Sequence, residues 1–186
     1  MPNFTQLEIN QYPSSYAEIT ELVKDLSLKW VAGGQICLNT IPSCPTDYTL
    51  GTGSLQKDWS SSIRGKDGSI AVPLKQNQLK ESDFTVLCTQ FQGTVLEDLY
   101  SEITSRYKVG RVRLMRSEPK TCLSWHTDRN TRVHYVVKTQ PGCFMVIGEE
   151  VKFLPQNTWW HVDTKVAHTA FNGSMEQRIH LVAEVL

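Results

Sequence analysis

The chain has no apolar stretch long enough to cross a bilayer and no basic-then-apolar leader, so neither membrane insertion nor export is expected. It has no excess of charge of either sign. Nineteen Lys and Arg stand against nineteen Asp and Glu, a formal net charge of zero, which removes the usual electrostatic reason to bind nucleic acid or an anionic membrane surface. It also lacks a cysteine framework. The five cysteines (Cys37, Cys44, Cys88, Cys122 and Cys143) are odd in number and include no C-x-x-C pair, which argues against both a disulfide scaffold and a zinc knuckle. A reducing cytoplasm is the expected location, with each cysteine a small buried or half-buried hydrophobe. No repeat is visible.

What is present is an ordinary globular mixture, 40% apolar and 20% charged over 186 residues, a length suited to one domain with a sizeable core. Ser15 with Glu18 reads as a capping box, followed by Ile19, Leu22, Val23 and Leu26 at helical spacing. "QICLN" (35–39) and "FTVLC" (84–88) read as strands. Residues 40–68 are rich in Ser, Thr, Pro and Gly with little periodicity, as in a lid or binding loop. Thr94 with Glu97 marks a second helix start, carried on by Leu96, Leu99, Tyr100 and Ile103. The basic run Arg106, Lys108, Arg111, Arg113, Arg116 and Lys120 reads as a solvated strand face plus loop.

From residue 109 onward the texture changes. "VGRVRLMR", "CLSWH", "RVHYVVK", "CFMVI", "EVKF", "NTWW", "VAHTAF" and "RIHLVAEVL" are eight short β-rich segments punctuated by Pro119, Gly142, Gly148, Pro155 and Gly173. Eight closely spaced strands predict a jelly roll. The expected fold is thus mainly β with flanking helices: residues 1–108 supply helices, extra strands and a possible lid, and residues 109–186 form an eight-strand, cupin-like, double-stranded β-helix core.

The stretch "LSWHTDRNTRVHYVV" (123–137) carries more polar groups than a strand tolerates without partners. His126 and Asp128, two apart, point the same way along an extended chain, and His168 in a later β segment can supply a third ligand. Two histidines and a carboxylate fit the facial triad of non-haem Fe(II), which leaves adjacent positions open. Arg178, ten residues beyond His168, can bind a distal carboxylate as a two-pronged partner. A ferrous ion, the Asp128 carboxylate and a dianionic 2-oxo acid leave one negative charge, which one arginine neutralises.

These elements, "WHTD", "RVHYVV", "HTAFN" and "RIHLVAEV", resemble the Fe(II)/2-oxoglutarate dioxygenases of the double-stranded β-helix fold, and within them the aspartyl/asparaginyl β-hydroxylase-like branch, over roughly residues 109–186. The resemblance implies that His126, Asp128 and His168 bind Fe(II). It implies that Arg178 holds the far carboxylate of 2-oxoglutarate with help from His134, and that Arg132 faces either 2-oxoglutarate or the substrate. The implied reaction is hydroxylation of an unactivated C–H of an amino acid, peptide side chain or small metabolite, with O2 consumed and succinate and CO2 released. The namesake enzymes often lack the acidic ligand. Asp128 therefore departs from them toward the fuller triad and loosens any transfer of their aspartyl or asparaginyl substrate.

A second H-x-D, His161-Val162-Asp163, reads as a polar turn, because His168 follows it too closely and no arginine follows His180. His180 shares a face with Arg178 in a regular strand and is assigned to the core. Trp125, Trp159 and Trp160 are expected in the core, with one of the last two a candidate for the cavity wall. Thr127 and Arg129 fall at the expected site mouth, and Asn172 reads as a turn residue tolerant of left-handed backbone. Two other functions compete. A non-catalytic cupin-like module binding a metal or small acid would need neither Arg178 nor His134, and zinc hydrolysis would need a general base that the sequence does not offer.

Overall fold

The computed structural model describes residues 2–76 and 78–186. In chain order the elements are β1 (Phe4–Leu7), α1 (Ser15–Asp25), β2 (Gln35–Cys37), β3 (Asn39–Thr40), β4 (Ile63–Arg64), β5 (Ile70–Ala71), β6 (Val86–Leu87), α2 (Val95–Thr104), β7 (Val109–Ser117), β8 (Thr121–Cys122), β9 (Arg132–Lys138), β10 (Cys143–Ile147), β11 (Glu150–Lys152), β12 (Trp159–Val162), β13 (His168–Asn172) and β14 (Arg178–Val185). All eight β segments expected after residue 109 are present. They divide into two facing antiparallel sheets, β12-β9-β14-β7 and β11-β10-β13-β8. The chain alternates between sheets in the manner of a jelly roll, the double-stranded β-helix.

Two strands from the first half of the chain widen the larger sheet. β1 pairs with β12, and β2 pairs with β7, so that sheet has six strands. Strand alternation then decides what each face carries. Val112, Leu114, Val133, Tyr135, Val137, Ile179, Leu181 and Ala183 point outward from the jelly roll into a buried apolar cluster with Ile19 of α1 and Leu96, Leu99 and Ile103 of α2. The helices therefore cover the larger sheet's outer face. The inner face packs Val136, Trp160 and Val162 against Met145, Ile147 and Ala170 of the smaller sheet.

Both helix starts differ in detail from the sequence pattern. Ser14, not Ser15, is the residue before α1, and its hydroxyl bonds Glu18 at 2.5 Å. Ser15 is fully buried instead, 3.1 Å from the Tyr135 hydroxyl of β9, and ties α1 to the sheet. Thr94 caps α2 by accepting from Leu96 N at 3.2 Å, while Glu97 reaches past it to Gly93 N at 2.6 Å.

The loop of residues 40–68 is anchored at its middle. Arg111 Nη1 donates to Gly51 O and Gly53 O, each at 2.8 Å, and a Cβ on Gly51 would collide with the Cys37 thiol and the Phe84 ring. Four expectations are corrected. Arg111 and Arg113 are not solvated: both lie on the inner face of β7, at 6% and 4% exposure. Trp125 is 58% exposed rather than core. Cys122 is exposed, because its strand lies at the edge of the smaller sheet. Asn172 keeps negative φ and organises its turn through the side chain, donating to Ser117 O and Glu176 O and accepting from Ser174 N. Among the described residues no helix is long and apolar enough to cross a membrane.

Candidate active site

His126 and His168 meet through the backbone. They form an antiparallel bridge that exchanges both main-chain hydrogen bonds, His126 N to His168 O at 3.1 Å and His168 N to His126 O at 2.9 Å. Residues opposed in this way place their side chains on one face, and the imidazole centroids stand 4.2 Å apart. Asp128 N donates to Thr164 O at 2.9 Å, which brings the carboxylate alongside. One donor atom from each of His126, Asp128 and His168 lies within 4.8 Å of the others.

The hydrogen bonds around this group fix which atoms face inward. His126 Nδ1 lies 2.7 Å from Ser124 O, and His168 Nδ1 lies 3.0 Å from Val166 O. A carbonyl can only accept, so each Nδ1 carries the proton and each Nε2 keeps a lone pair. His168 Nε2 lies 3.4 Å from Asp128 Oδ2, a buried oxygen that makes no hydrogen bond. The other carboxylate oxygen accepts from Arg132 Nη2 at 2.7 Å. Burial alone would raise the Asp128 pKa, but contact with His168 and the Arg132 charge outweigh it and hold the carboxyl below its ordinary value. Two lone-pair nitrogens and an ionised oxygen thus converge with no proton between them. That donor set fits a divalent cation.

A second group lies deeper, on the inner face of the larger sheet. Arg178 Nη2 donates to His180 Nδ1 at 3.1 Å, which places the His180 proton on Nε2. His134 Nδ1 lies 3.4 Å from the same nitrogen. The Nε2 atoms of His134 and His180 are buried and have no partner among the described residues. Burial first, and the Arg178 charge second, push both imidazoles well below the usual histidine range, so both rings are neutral at pH 7. Arg178 is 7% exposed, forms no ion pair among the described residues, and is lowered to about 10 by burial. An unpaired buried guanidinium costs several kcal/mol, a cost that an anionic ligand would remove.

This pair of neutral histidines has a consequence for stability. In the unfolded chain they protonate as pH falls through 6.5, whereas in the fold they do not. The unfolded state then binds more protons, and stability falls by about 1.4 kcal/mol per pH unit for each ring below that value. Urea unfolding of metal-free protein between pH 7 and 5 is expected to show this loss. His180→Leu should reduce the slope by one ring's share.

Above Asp128 opens a cavity of about 560 Å³, lined among others by Leu55, Glu81, Arg111, Arg129, Arg132 and Glu184. The 40–68 loop reaches it through Ser54, Leu55 and Gln56, and Thr127 and Arg129 lie at its wall. Trp160 sits opposite His134 in the sheet, whereas Trp159 lies in the outer core. The second H-x-D stays apart: His161 Nε2 contacts the Thr131 hydroxyl at 3.0 Å, and Asp163 accepts from Lys165 N within a turn.

Sequence reasoning grouped His126, Asp128 and His168 and put His180 on the same strand face as Arg178, while His134 was assigned to the Arg178 group only through the family resemblance. It left His180 in the core and missed Arg111, Arg113, Glu81 and Glu184. The alternation of Arg178, His180, Val182 and Glu184 along β14 held the missing signal.

The family model described as aspartyl/asparaginyl beta-hydroxylase matches residues 56–186, reaching back well before residue 109. Among solved structures, the chain is similar to the viral collagen prolyl hydroxylase vCPH of Paramecium Bursaria Chlorella virus-1 in its 2OG complex, at TM-score 0.50 and 9% identity, covering 99% of this chain and 95% of that one. It is also similar to AviO1 from Streptomyces viridochromogenes Tue57, at TM-score 0.48 and 13% identity over 98% and 88%. A cupin domain from Bordetella pertussis Tohama I matches at TM-score 0.38 and 18% identity over 42% and 83%. At these identities the vCPH likeness concerns the fold alone. No curated protein matches in sequence.

Proposed function

The chain belongs to the aspartyl/asparaginyl β-hydroxylase family, and from that premise we propose an Fe(II)- and 2-oxoglutarate-dependent oxygenase that hydroxylates an unactivated C–H of an amino acid, peptide side chain or small metabolite. One observation carries the reading. The lone-pair nitrogens of His126 and His168 and an oxygen of Asp128 converge in the same jelly-roll interior as Arg178, and among the described residues that oxygen has no hydrogen-bond partner and Arg178 no carboxylate.

In this reading His126, Asp128 and His168 hold the ion. Iron with 2-oxoglutarate supplies the oxidising chemistry, using O2 and giving succinate and CO2. Arg178 receives the co-substrate's distal carboxylate, and His180 Nε2–H, whose tautomer Arg178 sets, adds a buried donor beside it. His134 completes this group from β9. Arg132 acts on the ion indirectly: it clamps Asp128 Oδ1, keeps the carboxylate ionised and leaves Oδ2 free. The wall formed by Trp160, Val136 and Met145 excludes water from the inner end.

Succinate formation from 2-oxoglutarate under O2, with Fe(II) supplied and then chelated, tests the reading. Turnover that survives complete chelation overturns it, as does the absence of any binding of 2-oxoglutarate to the metal-loaded protein. Arg132→Met is expected to weaken metal affinity by about 10- to 100-fold, the usual effect of removing a group that orients a ligand. Competition with a chromogenic chelator measures it.

A further inference from the structure

Glu184 is a buried carboxylate that the reaction above does not use. It closes the series Arg178, His180, Val182 and Glu184 on the inner face of β14 and stands opposite Arg132 of β9. Only 7% of it is exposed, and it lines the cavity above Asp128. Its Oε1 accepts from Asn130 Nδ2 at 3.1 Å. Among the described residues the other oxygen accepts no hydrogen bond, and no lysine or arginine forms an ion pair with the carboxylate.

The other carboxylates of this cavity are matched. Glu81 receives Nε, Nη2 and the backbone N of Arg111. Asp128 receives Arg132 on Oδ1. Lys80 and Arg129, the remaining cations on the wall, are exposed, and neither pairs with Glu184. One negative charge is therefore left over. Burial first, and the neighbouring Glu81 charge second, raise the Glu184 pKa; Arg132 offsets this only in part. A cation placed beside such a carboxylate would relieve both costs. The position is also distinct from the co-substrate site. Glu184 lies six residues beyond Arg178 on the same strand, roughly 20 Å away along it.

The bonds already made select the kind of cation. With Oε1 held by Asn130, one oxygen is free, so a two-pronged guanidinium finds no matching pair of acceptors. An ammonium is a compact charge that one oxygen can receive, with its other donors left for water or for groups of its own molecule.

We propose that the substrate carries an ammonium nitrogen and that Glu184 receives it, a specificity role that rests on the oxygenase reading. The test loads the protein with Zn(II) and 2-oxoglutarate, so that the co-substrate site is filled. Thermal stabilisation is then measured with L-amino acids against the matching 2-hydroxy acids, and with aliphatic amines against the matching alcohols. Each pair differs in the charged nitrogen alone. Amines are expected to stabilise more than their hydroxyl counterparts. Glu184→Gln keeps an acceptor for Asn130 and should weaken the amines by about ten- to a hundredfold, the weight of a charge-assisted hydrogen bond, while 2-oxoglutarate affinity holds. The ligand-free variant should melt no lower than wild type, because an uncompensated charge has gone; Glu184→Asp should retain a weakened preference.

Four results overturn the proposal: no amine-over-hydroxyl difference anywhere in the panel, an amine preference that survives Glu184→Gln, a Glu184→Gln protein that melts lower or fails to fold, or a stability loss in ligand-free Arg129→Ala that disappears when residue 184 is glutamine. The last would make Arg129 the partner of Glu184. If Zn(II) and 2-oxoglutarate do not stabilise the wild-type protein, the oxygenase reading falls. The amine preference is then read separately on protein with Zn(II) alone.

Discussion

Replacing His168 by alanine is expected to lower succinate formation by at least about 10³-fold, because the proposed function makes it one of three protein ligands to the ion, while the fold survives. The separation of the two effects follows from the geometry. The bridge between His126 and His168 is made by main-chain N and O atoms, which alanine retains. The side chain adds one hydrogen bond, from Nδ1 to Val166 O, worth about 1 kcal/mol net. Circular dichroism and urea midpoints close to wild type, with metal binding lost, are the expected signature. His126→Ala should behave alike, and with less effect on stability, since His126 is the more exposed ring.

Asp128→Ala should differ from both. It removes a ligand and also leaves Arg132 without its 2.7 Å partner, so activity and stability fall together. Asp128→Asn keeps an acceptor for Arg132 and should restore stability without restoring turnover. Full turnover in any two of the three alanine variants would discard the assignment of these residues as ligands.

How much of this was legible in the sequence depends on whether alternation alone was enough. The eight core strands could be read because turn residues bound each one and apolar residues recur at period two. The grouping of His126, Asp128 and His168 could be read because H-x-D places two donors on one face and R-x-H, a later histidine in a β segment and an arginine ten residues beyond it coincide with that pair. β1 could not: "FTQL" is four residues with no boundary signal, and its partner β12 lies at the far end of the chain. Arg111 and Arg113 show the limit most clearly. Alternation in "VGRVRLMR" correctly separates them from Val112 and Leu114, but it says only that the two sets face opposite ways. In a single sheet the charged set would face water. Here a second sheet covers that face, and the apolar set is covered by helices. His180 is buried, as its apolar strand suggests, and what the sequence did not show is its contact with Arg178 and its Nε2, which has no partner among the described residues.

Arg178→Met is expected to raise the 2-oxoglutarate concentration for half-saturation by about 10²- to 10³-fold. That corresponds to about 3–4 kcal/mol, the lower part of the range for breaking a buried ion pair by removing one partner. The same substitution should stabilise the ligand-free protein. Arg178 is buried with no carboxylate partner among the described residues, and methionine fills comparable space between Met145 and Leu154 without a charge. Metal affinity in the absence of co-substrate should hold, because Arg178 touches none of the three ligands and its contact is to His180. The variant therefore melts higher than wild type alone and lower than wild type with Zn(II) and saturating 2-oxoglutarate, so that the two melting curves exchange order as ligand is added. His180→Asn gives the intermediate case. Its amide oxygen stands where Nδ1 was and still accepts from Arg178, but the Nε2–H donor is gone, so half-saturation should rise by the weight of one hydrogen bond to a charged group, about 10-fold or somewhat more. Arg178→Met with unchanged half-saturation would show that the co-substrate's distal carboxylate lies elsewhere. The cause of this buried unpaired cation would then have to be sought in a different ligand.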